Sequence, residues 1–330
     1  MSSLERTLSY SLAINEALHQ TMEQDASVVL IGQGVKSPWY VGNTCRGLVE
    51  RFGGLRVIDS PVSENAVTGA AVGAAIAGAR PVVIHPRMDF MLYALDPIVN
   101  EAAKWRYMSG GTAKVPVVIW GIVNRGGEQG AQHSQALHSI FAHVPGLKVV
   151  APATPHDAKG LMVAAIRDED PVIFIDERWL YGVEGPVPEK LYAEPIGKAA
   201  CRREGSDLTI IAFSYLAPLA VEAAGALAAE GISCEVLDLR SLRPFDRDAV
   251  FASVRKTGRA VVCDIGWRTG GIAGEIAAQI MEECWAELRA PVARVALPDV
   301  PAPAARTLEA GYYPGAKDIV ATVRSILERT

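Results

Sequence analysis

The sequence has little of what marks several large classes of protein. Its 330 residues include only five cysteines, without CxxC spacing, and Cys234 and Cys263 fall in apolar strand-like runs. We therefore do not expect a secreted protein held by disulfides, and we expect a protein of the reducing cytoplasm. The net charge of -5 gives no reason to expect nucleic acid or an anionic membrane as partner. The most apolar window, residues 66–84, is broken by Arg80 and Pro81 and has too few large side chains to span a bilayer, so we expect a soluble protein.

Familiar catalytic motifs are missing as well. The sequence has no GxxxxGK[ST] phosphate loop, no GxGxxG after the first predicted strand and no GxSxG nucleophile elbow. "GGIAGE" at residues 270–275 has the wrong spacing, and no acidic cluster with metal-ligand spacing stands at a strand end. If the protein uses a phosphorylated cofactor, this chain does not visibly supply the site for its phosphate or for a magnesium ion.

What the sequence does contain is a repeated alternation of strand and helix. Apolar runs such as "ASVVLIGQG", "RPVVIHP" and "VPVVIWGI" alternate with helical segments, which predicts parallel sheets covered on both faces. A stretch with three prolines and no sustained period, residues 182–199, interrupts the alternation. We predict an α/β protein of two open, mostly parallel-sheet domains, residues 1–185 and 205–330, joined by a linker at 186–204.

The first candidate for chemistry is Glu64, in "DSPVSENAVTGAAVGAAIAGA" (residues 59–79). Open parallel sheets bind ligands beyond the carboxyl ends of their strands, and the strand "RVIDSPVS" leads to Glu64 at that edge. A helix of alanine, glycine and valine follows, so Glu64 could equally favour the helix dipole behind Ser63 as N-cap. Local pattern alone favours this capping role.

Two further segments carry polar residues at loops. His133 follows a glycine-rich loop, and because histidine is the residue type suited to proton exchange at neutral pH, it is a candidate for proton transfer. His138, in contrast, is expected to be satisfied by backbone hydrogen bonds. The segment "HPRMDFMLYALD" leaves the end of the third predicted strand. It supplies candidate ligand contacts at His85, Arg87, Asp89 and Phe90. An aromatic ring there could stack on a flat heterocycle, and Arg87 could bind an anion. A single phenylalanine, however, more commonly packs in the core.

In their order and spacing, these segments resemble the beta subunit of thiamine diphosphate-dependent 2-oxoacid dehydrogenases, members of the transketolase-like family. These beta subunits belong to the decarboxylating components of the pyruvate, branched-chain and acetoin systems. The resemblance covers nearly the whole chain and rests on stretches that include "DSPVSENAVTGAAVGAAIAGARPVV", "ALDPIVNEAAKWRYMSGG", "AQHSQ", "VPGLKVVAPATPHDAKGLMVAAIRDEDPVIF", "LDLRSLRPFD" and "GWRTGGIAGEI". It implies a pyrimidine-binding domain followed by a transketolase C-terminal-like domain.

The resemblance also implies roles for individual residues. Glu64 matches the glutamate that hydrogen-bonds the aminopyrimidine ring of the cofactor and favours its imino tautomer. Phe90 matches the aromatic that stacks on that ring, and Val62 contacts it through its backbone. His133 matches an active-site histidine that handles protons or the incoming acceptor.

A potassium site and several partners follow from the same resemblance. Ala165, Asp168 and Asp170 match a loop that coordinates a structural potassium ion, to which Val117 adds a carbonyl. Magnesium and the diphosphate are held by a separate alpha subunit, in an α₂β₂ assembly with beta–beta contact. A lipoyl-bearing acyltransferase is a further possible partner. "GWRTGGIAGEI" would then be structural.

Departures from the family pattern leave alternatives open. Gln33 and Gly34 replace an acidic pair, which puts a proton relay there in doubt, and His85, Arg87 and Asp89 add polar groups beside Phe90. These groups suggest a more polar substrate or acceptor than pyruvate and a lipoyl arm. A carboligase of the transketolase type, which transfers a two-carbon unit to an aldehyde or keto sugar, is the alternative. A subunit that binds a partner without taking part in catalysis is a second, minor alternative.

Overall fold

The computed structural model describes residues 6–37 and 41–328, and contacts divide the chain into two compact units. The first comprises the chain up to Arg125 together with Ile140–Ile196, and the second comprises Gly126–Ser139 together with the chain from Gly197 onward. The second unit is therefore discontinuous in sequence. Its short segment Gly126–Ser139 lies, in sequence, between the two parts of the first unit. The pattern of strands and helices in the sequence did not indicate this exchange.

The first unit contains eight strands in the described part of the chain. They are β1 (Thr7–Ser9), β2 (Val28–Gly32), β3 (Val57–Asp59), β4 (Arg80–His85), β5 (Val118–Val123), β6 (Lys148–Val150), β7 (Val172–Glu177) and β8 (Glu184–Pro186). Six of them form a parallel sheet in the order β6-β7-β5-β4-β2-β3, and β1 pairs with β8 antiparallel. Every residue of β5 and β7 is buried, because helices cover both faces of a parallel sheet.

The helices of this part of the chain begin at residues suited to that position. They are α1 (Tyr10–Gln24), α2 (Leu48–Phe52), α3 (Glu64–Ile76), α4 (Ala103–Met108), α5 (His138–His143) and α6 (Pro155–Arg167). Ser9 caps α1 and Thr154 caps α6 by accepting a backbone N–H, and Pro155 takes the first position of α6, where no N–H is needed. Short 3₁₀ helices cover Met88–Ala94 and Arg178–Leu180, and a π-helical turn at Pro97–Ala102 precedes α4.

The strand order determines where a ligand is expected. β2 lies between β3 and β4, so the chain leaves β2 towards one side of the sheet and leaves β4 towards the other. Ligands of open α/β sheets bind at such a reversal, outside the carboxyl ends of the strands. The segments that follow β2, β3 and β4 carry Gln33, Glu64 and Arg87 respectively.

The second unit repeats this architecture on a smaller scale. Its strands are β9 (Ala200–Arg203), β10 (Leu208–Ala212), β11 (Cys234–Asp238), β12 (Ser241–Arg243), β13 (Ala260–Trp267) and β14 (Ala293–Leu297), and its helices are α7 (Leu216–Ala228), α8 (Arg247–Thr257), α9 (Ile272–Cys284), α10 (Arg306–Glu309) and α11 (Ala316–Leu327). Five strands form a sheet in the order β14-β13-β10-β11-β9, parallel except for β9 at one edge. The predicted fold class, two open and mostly parallel sheets, is confirmed.

Within residues 6–37 and 41–328, no helix has both the length and the apolar content that a bilayer crossing requires.

Candidate active site

Glu64 is the first residue of α3, and its carboxylate is half-buried. Ser63 occupies the N-cap position, but its hydroxyl makes no capping hydrogen bond. The carboxylate instead accepts a hydrogen bond from Nε2 of Gln33, with 3.2 Å between the nitrogen and Oε1. Because Gln33 directly follows β2, this contact joins two strand ends at the carboxyl edge of the sheet.

The turn after β2 holds Gln33 in place. Gly34 has a φ of +69°, which favours glycine, and its N–H donates to Oδ1 of Asp59 at 2.7 Å. An amide cannot relay a proton as a carboxyl group can, but it can donate to a carboxylate and, after rotation, accept from a carboxyl group. Gln33 can therefore support Glu64 in either protonation state.

Two apolar side chains flank this edge. Phe90 is half-buried in the 3₁₀ helix after β4, and Val62, directly before α3, is 79% exposed. Tyr93, three residues after Phe90, is 70% exposed. A carboxyl group and accessible apolar side chains at one edge of the sheet fit a ligand with a flat ring and a ring nitrogen, such as an aminopyrimidine.

His85, one of the residues predicted to contact substrate, is buried at the end of β4. Its Nε2 lies 3.2 Å from the hydroxyl of Thr68, one turn after Glu64 on α3. Burial lowers the pKa of His85 to about 4, so the imidazole is neutral near pH 7. It contacts the helix that carries Glu64 and is shielded from solvent by this chain.

The other two polar residues of this segment differ in exposure. Asp89 is buried, whereas Arg87 is half-buried and donates from Nη1 to the carbonyl of Pro86 at 2.8 Å. Asn124, after β5, donates to the same carbonyl at 3.0 Å and accepts from Arg178, after β7, at 2.7 Å. Hydrogen bonds thus connect the ends of three neighbouring strands, and of the three predicted substrate residues Arg87 is the one that keeps exposed surface.

Buried charged residues at the ends of β5 and β7 were not identified from the sequence. Arg125 and Glu177 form a fully buried ion pair of 2.8 Å, and the Arg125 guanidinium lies 3.8 Å from the centre of the Trp179 ring. Burial raises the pKa of Glu177 despite the opposing effect of Arg125. The signal that could have found these residues is their position, because "VNR" and "DER" follow apolar strands at the edge where ligands bind.

Asp176, beside Glu177, is also fully buried. Its Oδ2 accepts from the hydroxyl of Tyr181 at 2.7 Å and from the indole N–H of Trp120 at 3.2 Å. Burial raises the pKa of Asp176 to about 7 despite these two hydrogen bonds. Its carboxyl group therefore titrates in the physiological range.

The predicted potassium ligands lie at and around the end of α6. Lys148 contacts both carboxylate oxygens of Asp168 at 2.7 Å and Oδ2 of Asp170 at 3.2 Å, and Arg106 donates to Oδ1 of Asp170. The carbonyls of Ala165 and Val117 accept backbone N–H groups. These oxygens have partners within the chain, and two of the partners, Lys148 and Arg106, are cationic. The potassium prediction therefore rests on the resemblance.

One other group of side chains in the described residues has metal-ligand spacing. It consists of Cys201, Glu204 and Glu235, whose ligand atoms lie within 4.8 Å of one another. Lys256 forms ion pairs with both glutamates. In the folded chain this group is therefore a salt-bridge network.

His133 lies in Gly126–Ser139, the segment that belongs to the second unit, and is half-buried. The same segment contains His138, for which the prediction of backbone hydrogen bonding is wrong. Nε2 of His138 bonds instead to Oδ1 of Asp264 at 2.8 Å. His133 and Glu64 belong to different units.

Two family models match the sequence and together cover most of it. Residues 6–183 match the transketolase pyrimidine binding domain, and residues 197–319 match the transketolase C-terminal domain. Neither model includes residues 184–196.

Curated relatives match along nearly their whole length. The beta subunit of acetoin:2,6-dichlorophenolindophenol oxidoreductase from Cupriavidus necator is 45% identical, over 98% of this chain and 99% of its own. The pyruvate dehydrogenase E1 component subunit beta of Rickettsia felis is 43% identical, over 95% of this chain and 96% of its own. Among solved structures, a split-gene transketolase described as an inactive beta4 tetramer matches with a TM-score of 0.78 and 25% identity, over 97% of this chain and 98% of that one.

Proposed function

Because the chain belongs to the family of 2-oxoacid dehydrogenase beta subunits, built from transketolase pyrimidine-binding and C-terminal domains, we propose that it is the beta component of a thiamine diphosphate-dependent enzyme. The enzyme decarboxylates a 2-oxoacid and passes the resulting acyl or aldehyde unit to an acceptor, such as a lipoyl arm. The observation that carries this proposal is Glu64, half-buried at the carboxyl edge of the first sheet with Gln33 bonded to it.

In this proposal the cofactor and the residues of the chain have separate roles in the reaction. When bound, thiamine diphosphate supplies a nucleophilic carbon and an electron sink. Glu64 would hold a proton at the pyrimidine nitrogen, with its carboxylate fixed by Gln33. Phe90 and the backbone of Val62 would hold the pyrimidine ring. His133, on the second unit, would accept protons from the substrate or acceptor and donate protons to it.

The rest of the cofactor requires a second chain. The sequence has no phosphate loop, so we propose that an alpha subunit holds the diphosphate and Mg²⁺ in a cytoplasmic α₂β₂ assembly with beta–beta contact. A lipoyl-bearing acyltransferase is the proposed acceptor protein. Potassium at Val117, Ala165, Asp168 and Asp170 is included by resemblance alone.

Two observations favour alternative substrates. Relatives at 40–45% identity are acetoin oxidoreductase subunits, so cleavage of a 2-hydroxyketone is a second candidate. The transketolase-type carboligase depends on a polar lining, for which Arg87 is the accessible residue.

Replacing Arg87 with Met tests this alternative. The change should weaken the binding of a substrate that carries polar or anionic groups beyond its 2-oxoacid carboxylate far more than the binding of pyruvate. An unchanged preference across a substrate panel would leave the carboligase without support.

The test of the proposal is Glu64→Gln in the enzyme reconstituted with its alpha subunit. Turnover of the 2-oxoacid should fall by about 100-fold or more, because an amide cannot exchange the proton that the ring nitrogen needs. Glu50→Gln, an exposed glutamate of α2, is the control and should retain full turnover. Wild-type rates in Glu64→Gln would remove Glu64 from the mechanism.

A further inference from the structure

A buried pair of side chains lies behind the segment that carries His133. His138 and Asp264 are both fully buried, and Nε2 of His138 lies 2.8 Å from Oδ1 of Asp264. The edge of the His138 ring faces Phe213, with 5.2 Å between ring centres. All three residues belong to the second unit, so the pair joins residues 126–139 to the body of that unit.

Asp264 is itself held firmly. It accepts the N–H of Gly266 at 2.9 Å on Oδ1 and the N–H of Ala273, in the first turn of α9, at 3.0 Å on Oδ2. Burial raises the pKa of Asp264, but His138 and the two N–H groups together lower it more, so the net shift is downward. The carboxylate is therefore a charged, fixed acceptor for the imidazole.

Two glycines make room for the pair. A Cβ at Gly266 would lie 2.9 Å from Cε1 of His138, and a Cβ at Gly271 would lie 2.7 Å from Oδ2 of Asp264. Neither glycine has a positive φ, so close approach of neighbouring atoms, and not backbone conformation, accounts for them. At Gly271 the carbonyl oxygen of Trp267 contributes as well, because a Cβ there would lie 2.5 Å from it. The stretch "DIGWRTGGIAG" thus does more than build the second unit, because it surrounds the His138–Asp264 contact.

Other contacts hold the same segment on either side of His133. At the start of the segment, the backbone N–H of Glu128 donates to the carboxylate of Glu309 at 3.0 Å. The carboxylate of Glu128 accepts from the guanidinium of Arg306 at 2.9 Å. At its end, the hydroxyl of Ser139 accepts the N–H of Ile272 at 3.0 Å. His133 lies near the middle of the segment between these anchors, five residues after Glu128 and six before Ser139.

We propose that His138 and Asp264 are a positioning pair, which fixes the segment 126–139 on the second unit and thereby sets the place of His133. The proposal rests on the role given to His133 in the proposed function. The pair does not touch substrate. Its effect is to limit the movement of the backbone that carries His133, and a misplacement of about 1 Å can cost about 100-fold in rate.

The first test is hydrogen–deuterium exchange of the full-length chain. His138→Phe keeps the ring and its contact with Phe213 but removes the hydrogen bond, and it should raise exchange in residues 127–137 about tenfold. His138→Gln retains a donor and should restore most of the protection. Ser253→Ala removes a buried hydroxyl contact with Thr209 in the same unit and should leave the segment unchanged. Equal exchange in His138→Phe and wild type would overturn the proposal.

The second test asks whether the pair acts through His133. In the reconstituted enzyme, His138→Phe should lower kcat about 10- to 100-fold with a smaller change in KM. In a His133→Ala background it should cause no further loss, because the group that it positions is already gone. Losses that multiply would show a general structural role and overturn the proposal.

A third variant guards against failure to fold. If His138→Phe is not obtained as folded protein, Asp264→Asn, which keeps a weaker acceptor for His138, should give an intermediate increase in exchange. No increase would again overturn the proposal. If His133→Ala has full turnover, the proposed role of His133 fails, while the exchange data still decide whether the pair fixes the segment.

Discussion

Two carboxyl groups at the carboxyl edge of the first sheet have very different surroundings. Glu64 is half-buried and accepts a single hydrogen bond from Gln33. Asp176 is fully buried and accepts hydrogen bonds from Tyr181 and Trp120. Different surroundings give carboxyl groups different tasks. Glu64 is available to a ligand, whereas Asp176 joins side chains of this chain to one another.

The raised pKa of Asp176 has a defined effect on stability. Its ordinary value is 3.8 and its value in the folded chain is about 7. Between these values Asp176 carries a proton in the folded chain that it has lost in the unfolded chain, so the contribution of Asp176 to the free energy of unfolding falls as pH rises from about 4 to 7. Asp176→Asn should remove this contribution, which is on the order of 4 kcal/mol, so in urea titrations the free energy of unfolding of the variant should rise with pH relative to that of wild type across that range.

The control for this experiment is Asp299→Asn. The N–H and hydroxyl of Thr269 lower the pKa of Asp299, so its contribution is present above pH 3.8 and is lost only below it. Asp299→Asn should therefore show the same pH dependence of the free energy of unfolding as wild type between pH 4 and 7. If Asp176→Asn also shows the wild-type pH dependence, Asp176 does not titrate with a raised pKa in the folded chain.

Among the elements, α3 has an unusual surface. Thr68, Ala71, Val72 and Ala75 are buried against the first unit, while Ala66, Ala70 and Gly73 are exposed although they are apolar or small. A helix that is apolar on all sides is normally buried on all sides. The exposed face therefore fits close packing against another chain, which agrees with the predicted subunit assembly.

Gly73→Leu tests this face. A Cβ at Gly73 meets nothing within 4 Å, and leucine is a better helix former than glycine, so the isolated chain should fold and gain stability of up to about 1 kcal/mol. The added side chain should block close packing and prevent assembly with the alpha subunit, as measured by native mass spectrometry. Gly225→Leu, at an equally open position of α7, should assemble normally. Normal assembly of Gly73→Leu would mean that the α3 face is not an interface.

For the whole molecule, the proposal that the chain is part of a larger enzyme makes a direct prediction. Purified alone, the chain should bind thiamine diphosphate weakly, with a Kd on the order of 1 mM or above, because the groups for its diphosphate lie elsewhere. Addition of the alpha subunit and Mg²⁺ should tighten binding at least about 100-fold in calorimetric titrations. Tight, Mg²⁺-dependent binding by the chain alone would contradict the proposal.

The sequence predicted the architecture well and the long-range contacts poorly. Strand and helix periodicity placed Glu64 at a strand end, since that depends on nearby residues alone. It did not show that His85 would be buried against Thr68, or that Arg125 would pair with Glu177, because burial depends on what packs above a strand end. The pairing of His138 with Asp264 joins residues far apart in sequence, and no local pattern encodes such a contact.

The discontinuity of the second unit has a consequence for synthesis. When Ser139 leaves the ribosome, Asp264 and α9 do not yet exist. They follow after about 125 residues, which takes roughly 6–25 s at ordinary rates of translation. Through that interval the first unit can assemble its sheet, but the segment with His133 has nothing to dock on. The nascent chain can therefore complete the carboxyl edge of its first sheet well before His133 is in place, and the synthesis of β13 and α9 determines when the segment can dock.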